Sequence, residues 1–244
     1  MCPYRAMSIL RTIGILGGMG PEATILLQRK LIEAVPARDD KDHIPLLIDM
    51  NPGVPSRIAH LIEGTGKDPG PTLAMMARRL QTAGAVALAM PCNTAHHYAA
   101  SITEAVDIPL LNMVQLAADH AAGVLGKEGC VGMLASPAVQ RTRLFEAALA
   151  DRGIKVVWPA QGSDMLAAIR AIKADGPCDF ARDILHAASE DLHAAGAGLQ
   201  FIACSEFSII ADSVTSQARS VDTIDLLVKA IVAASHPDMP DGAD

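Results

Sequence analysis

Two stretches, TIGILGGMGPEAT at residues 12–24 and CVGMLASPAVQRT at residues 130–142, decide the fold between them. Each is an apolar run of strand length, then a cluster of small residues, then a proline where a helix would begin. A short apolar run bounded by such residues reads as a strand buried on both faces. Proline suits the first helical turn because its missing N–H would have no helical partner there. Gly14 and Gly132 hold matching places, 118 positions apart. A second pair, ALAMPCNTA at 87–95 and QFIACSEFS at 200–208, repeats the order strand, cysteine, small polar residues, and sets Cys92 and Cys204 112 positions apart. Two similar offsets imply a duplicated unit.

Outward from these stretches, β-rich runs at 12–16, 45–50, 85–90, 130–135, 155–158 and 200–203 predict strands. Helical spacing predicts helices over 21–35, 72–83, 95–106, 114–125, 139–151, 165–173, 180–195 and 223–234. Strand and helix alternate, so the crossovers give parallel sheets. The reading is an α/β protein of two similar Rossmann-like lobes, one from residues 1–113 with 219–244 and the other from 114–218. In such a pair the carboxyl ends of the strands can face a shared cleft.

Composition narrows the function. Half of the residues are apolar but only seven are aromatic, so the core is built from Ala, Leu, Ile, Val and Met, as suits helices on a parallel sheet. The net charge is −7 and no Lys/Arg run occurs, which argues against a nucleic-acid partner. An anionic ligand would need local Arg, Lys or backbone N–H groups. No run approaches the roughly 20 apolar residues of a membrane span, and residues 1–12 lack the apolar core of a signal peptide. Five widely spaced cysteines with no CxxC do not form a disulfide framework. A reduced, cytoplasmic protein with no membrane partner is expected.

The chemistry points to Cys92 and Cys204. Each ends a strand and is followed by small polar residues that can open a helix, Asn93-Thr94 and Ser205-Glu206. Backbone N–H groups at such a turn favour a thiolate. A thiol and a thiolate facing each other across a cleft are what inversion of a stereocentre needs, because one removes a proton from one face and the other supplies one to the opposite face. The carbanion between them needs hydrogen-bond donors, for which Asn93, Thr94, Ser136 and Ser205 are candidates. Glu206 either orients a neighbour or raises the pKa of Cys204 by charge repulsion. Cys130 reads as a buried strand residue, and Cys2 and Cys178 as bystanders.

Two other readings start from the same residues. Gly18-x-Gly20-x-x-Ala23 satisfies a dinucleotide-binding pattern, but Pro21 sits in the turn and no acidic residue ends a strand about 20 residues on. Cys92 with His96 and His97 suggests a metal site, but no further ligands stand nearby and zinc needs three or four. No cofactor or metal is expected.

GILGGMGPEAT (14–24), MPCNTAHH (90–97) and ACSEFSII (203–210) resemble, in order, the three hallmark segments of the aspartate/glutamate racemase family, most nearly its aspartate racemase branch. The third segment departs from the usual Gly-Cys-Thr-Glu at Ala203, Ser205 and Phe207, and Ser136-Pro137-Ala138 stands where relatives carry a Thr-rich segment. The resemblance implies lobes related by a pseudo-twofold axis, a cleft active site, no pyridoxal phosphate, and a homodimer acting on a small amino-acid substrate. It implies Cys92 and Cys204 as the acid/base pair. It also implies that Arg57 in GVPSR and Lys173 in the helix after residue 159 hold the substrate's side-chain carboxylate. Met19, inside the GGMG turn, and Glu206 complete the substrate-binding candidates. Related two-cysteine isomerases, hydantoin racemases and a catalytically silent amino-acid-binding homologue are the alternatives on the same fold.

Overall fold

A computed structural model describes residues 10–160 and 162–236; Cys2 lies outside them. The first sheet contains β1 (Ile13–Gly17), β2 (Leu46–Met50), β3 (Ala87–Ala89) and β4 (Leu110–Leu111), in the order β2-β1-β3-β4. The second contains β5 (Cys130–Ala135), β6 (Lys155–Val157), β7 (Leu199–Ala203) and β8 (Ser220–Asp222), in the order β6-β5-β7-β8. Every ladder is parallel. The two orders are the same once the strands are renumbered, so the sequence repeat is a repeat of topology.

Side-chain alternation sends the two faces of each sheet to different partners. In the first sheet Ile13 and Ile15 face α1 (Pro21–Ala34), while Leu88 faces α2 (Gly70–Thr82) through Leu73, Met76 and Leu80. Gly14 permits this close approach: a Cβ there would lie 2.9 Å from the Ala85 and Leu88 side chains and 3.1 Å from Leu80. Gly132 does the same in the second lobe, where a Cβ would meet Ala197 at 3.0 Å and Leu192 at 3.1 Å, on and just after α8 (Asp179–Ala194). The repeated glycine is therefore a packing constraint of helix on sheet.

The remaining layer is exchanged between the lobes. After β4 the chain enters α4 (Met113–Leu125), whose Val114, Ala117, Ala118 and Ala121 pack on Val131, Met133 and Ala135 of β5, in the second sheet. After β8 it enters α10 (Thr223–Ser235), whose Ile224, Leu227 and Ile231 pack on Ile13, Ile15, Ala87 and Ala89 of the first. Side-chain caps start both helices: Asn112 accepts from the Val114 and Gln115 amides, and Asp222 from the Ile224 amide.

Several expected boundaries move. β4 and β8 were not anticipated, because two- and three-residue strands carry no alternation to read. β8 pairs with β7, so Ser220–Asp222 belongs to the second sheet, although the boundary at 219 placed them with the first lobe. The helix expected over 95–106 is a 3-10 turn, Thr94–Tyr98, followed by α3 (Ala99–Thr103). The helix expected over 139–151 is two, α5 (Pro137–Thr142) and α6 (Leu144–Ala150), broken at Arg143, which takes a left-handed φ of 54°. Cys130 is only partly buried.

Gly18, in the turn between β1 and α1, has φ +89°, and a Cβ there would lie 2.4 to 2.7 Å from backbone atoms of Asn51. Both the dihedral and the space require glycine. Gly18→Ala is expected to lower unfolding stability by about 1–3 kcal/mol or more, read as a lower urea midpoint. An unchanged midpoint would mean that the turn relaxes around the methyl group at no cost.

Candidate active site

Cys92 and Cys204 end corresponding strands. Cys92 follows β3 after Met90-Pro91, and Cys204 directly follows β7 and caps α9 (Ser205–Ser208). Both are free thiols and both are buried.

Around Cys204 the polar groups form one hydrogen-bonded cluster. The thiol donates to Glu206 Oε2 at 3.1 Å, and Ser205 Oγ donates to the same oxygen at 3.4 Å. The other oxygen of Glu206 pairs with Lys173 Nζ, from α7 (Gly162–Asp175). Burial alone would raise the Glu206 pKa, but the Lys173 ammonium outweighs it and holds the carboxyl below its ordinary value. Burial pulls Lys173 down, yet the Glu206 carboxylate paired with it holds the ammonium above its usual range. Burial, then the Glu206 charge, pushes the Cys204 thiol well above its ordinary value. The expectation that a helix start favours a thiolate is therefore reversed at Cys204: α9 has only four residues, and an anion stands directly against the sulfur.

This cluster meets the first lobe at the start of α1. The Cβ position of Gly20 lies 3.6 Å from Lys173 Nζ and 3.8 Å from Glu206 Oε1. A cavity of about 230 Å³ opens there between Gly20, Pro21, Lys173, Ser205 and Glu206. No side chain caps the first turn of α1, so its N–H groups add a positive end to this wall.

Around Cys92 the contacts differ. Met19 packs in the same apolar cluster as Cys92, Val54 and Tyr98. His96 is fully buried; its Nδ1 lies 2.9 Å from the Cys92 carbonyl, and its Nε2 accepts the Met113 amide at 3.1 Å. Nε2 takes a proton from an amide, so the ring's own hydrogen sits on Nδ1 and is donated to Cys92 O. Burial lowers the His96 pKa to about 4, and the ring is neutral at pH 7. Both nitrogens are engaged, which leaves none to ligate a metal. Thr94 and Ser136 bridge the lobes, Oγ1 to Oγ at 3.1 Å, and Ser136 also caps α5. Asn93 Nδ2 donates to Thr223 Oγ1 at 3.0 Å, and Asn93 Oδ1 is buried without a partner.

Arg57 donates to the carbonyl of Val54, which packs in one apolar cluster with Cys92 and Tyr98. It opens a helical turn that continues as the π-helix Ala59–Glu63, and its Nη1 donates to the Pro55 carbonyl at 3.0 Å. Among the described residues it has no carboxylate partner, and its Nε is buried without an acceptor. Tyr98, not anticipated from sequence, stands near it with a buried, unpartnered hydroxyl; burial, with the charge of Asp68, pushes its pKa up to about 12. The sequence carried one signal for His96, its place four residues after Cys92, and none for Thr223, Ser208 or Asp222.

The Asp/Glu/Hydantoin racemase family model matches residues 16–231, spanning both sheets and both thiols. The chain belongs to this family. It is 24% identical over 238 residues to the broad specificity amino-acid racemase RacX of Bacillus subtilis (strain 168), covering 91% of this chain and 96% of that one. It superposes on the aspartate racemase of Picrophilus torridus with a TM-score of 0.81 at 26% identity, covering 92% of this chain and 94% of that one. A glutamate racemase from Francisella tularensis, solved with D-glutamate, shares the fold at TM-score 0.63 and 16% identity, over 93% of this chain and 81% of that one. No helix among the described residues is long and apolar enough to cross a membrane.

The negative charge of Glu206 and its hydrogen bond both favour the Cys204 thiol over the thiolate. Removing the charge lowers the Cys204 pKa. In Glu206→Gln the pH midpoint for alkylation of Cys204 by iodoacetamide, read by peptide mass spectrometry, is expected to move to lower pH. A midpoint that stays in place would assign the whole shift to burial.

Proposed function

We propose that this protein is a cofactor-independent racemase of an acidic amino acid, with aspartate the first candidate, and that Cys92 and Cys204 are its acid/base pair. One observation carries the reading: two buried thiols follow equivalent strands of the two sheets, one of them hydrogen-bonded into the Glu206–Lys173 pair. In the first step the Cα–H bond breaks, its proton goes to one sulfur, and the electron pair moves into the substrate carboxylate. The other thiol then gives its proton to the opposite face. Glu206 accepts the Cys204 thiol proton, so the form with the proton on Cys204 serves the enantiomer that Cys92 deprotonates, and the form with the proton on Cys92 serves the other. Exchange of the sulfur-bound protons with water resets the pair. Thr94, Ser136, Asn93 and Lys173 supply donors and charge for the carboxylate as it gains electron density.

Arg57 supports the acidic class of substrate. It is a guanidinium without a carboxylate of its own among the described residues, suited to a bidentate grip on a side-chain carboxylate. Lys173 reaches a substrate carboxylate only by sharing or releasing Glu206. The likeness to the Picrophilus torridus aspartate racemase supports this class, and the likeness to the Bacillus subtilis broad specificity racemase favours a second reading with a wider range of side chains.

A panel of L- and D-amino acids, followed by circular dichroism in D2O without added cofactor, tests the reading. Aspartate is expected to racemise with one deuterium entering at Cα, and Cys92→Ser and Cys204→Ser are each expected to cut turnover by about a hundredfold or more. Racemisation without deuterium in the product would rule out two exchanging thiols. Arg57→Ala is expected to lower kcat/KM for aspartate by about ten- to a hundredfold and leave neutral substrates near their original values. An equal loss for both classes would remove Arg57 from carboxylate recognition.

A further inference from the structure

Four positions after each thiol stands a side chain that ties the thiol-bearing turn to the place where the chain crosses into the other lobe. In the first lobe it is His96, which donates from Nδ1 to the Cys92 carbonyl at 2.9 Å and accepts at Nε2 from the amide of Met113, the first residue of α4, at 3.1 Å. In the second it is Ser208, whose hydroxyl donates to Asp222 Oδ1, the cap of α10, at 2.8 Å and lies 3.4 Å from the Cys204 carbonyl. His96 and Ser208 are both buried. A neutral histidine with both nitrogens satisfied makes a stiff tie. The single proton of a serine serves mainly the nearer carboxylate, so the tie in the second lobe is the looser one.

We propose that His96 and Ser208 are positioning residues, each fixing its own thiol against the substrate by coupling the catalytic turn to the strand-to-helix crossover. The inference rests on the two-thiol reading above. The crossovers carry α4 and α10 onto the opposite sheets, so the same ties link the position of each sulfur to the docking of the lobes. Asn93 adds a cross-link of the same kind, from the Cys92 turn to Thr223 at the start of α10. An error of about 1 Å in the placement of a reacting group can cost about a hundredfold in rate. That is large enough for a residue that never touches substrate to be seen in turnover.

The experiment uses the primary isotope effect on kcat/KM for L- and D-aspartate deuterated at Cα, or for the amino acid turned over fastest in the panel. For one enantiomer the label leaves to Cys92, for the other to Cys204. Displacing one sulfur makes its own step more rate-limiting in both directions. The isotope effect then rises for the enantiomer which that sulfur deprotonates and falls towards unity for the other. His96→Leu and Ser208→Ala are expected to lower kcat by about ten- to a hundredfold and to shift the two isotope effects in opposite senses, mirror images of each other. His96→Asn, which keeps a donor near Nδ1, is expected to recover part of the loss. If His96→Leu does not fold, Ser208→Ala and His96→Asn alone must show opposite shifts. Loss of activity with both isotope effects unchanged, or shifts in the same sense for both positions, would overturn the proposal and mark these residues as structural only. A wild type that racemises with no Cα isotope effect for either enantiomer and no solvent deuterium at Cα would instead overturn the two-thiol reading itself.

Discussion

Each sheet keeps one face dry only with a helix that comes from the other half of the chain. α4 leaves the first sheet and covers the second through Val114, Ala117 and Ala121, while α10 leaves the second and covers the first through Ile224, Leu227 and Ile231. Separating the lobes would expose both sets at once, and burial of aliphatic side chains of this size contributes about 1.5–3 kcal/mol for each of the larger ones. The lobes are therefore held at one spacing by the same apolar surface that completes their cores. The two thiols end strands of sheets locked together in this way, and their relation is set by the fold.

Charge then distinguishes two sulfurs that the repeat makes topologically equivalent. Cys204 donates to Glu206, which is in turn paired with Lys173. Cys92 has no hydrogen-bonded carboxylate among the described residues; its turn is fixed by a neutral histidine and an asparagine. A duplicated scaffold thus carries an asymmetric environment around its two thiols, which suits the proposed division into acid and base. Within a chain of net charge −7, Lys173, Arg57 and the open N-terminal turn of α1 are local positive features, of the kind the proposed anionic substrate requires.

The route from sequence to site was uneven. Cys92 and Cys204 were legible because they hold matching places in a repeated order of strand, cysteine and small polar residues, and Gly14 and Gly132 because a strand interior tolerates glycine only for a reason. The break at Arg143 and the 3-10 turn at Thr94–Tyr98 were hidden behind good helical spacing, since periodicity records which face is buried and not which hydrogen-bond pattern closes the turn. β4 and β8 are too short to alternate, and they are defined by the neighbours they pair with.

The sequence by itself determined the duplicated α/β architecture and the two cysteines at matching strand ends, because each follows from local pattern and spacing. Only the tertiary structure decided that Ser220–Asp222 joins the second sheet, that Lys173 is engaged by Glu206 while Arg57 has no acidic partner among the described residues, and that His96 is a neutral tie to Met113. His96 and Met113 are 17 positions apart and Lys173 and Glu206 are 33, and hydrogen bonds and charges act through space, where distance along the chain carries no information.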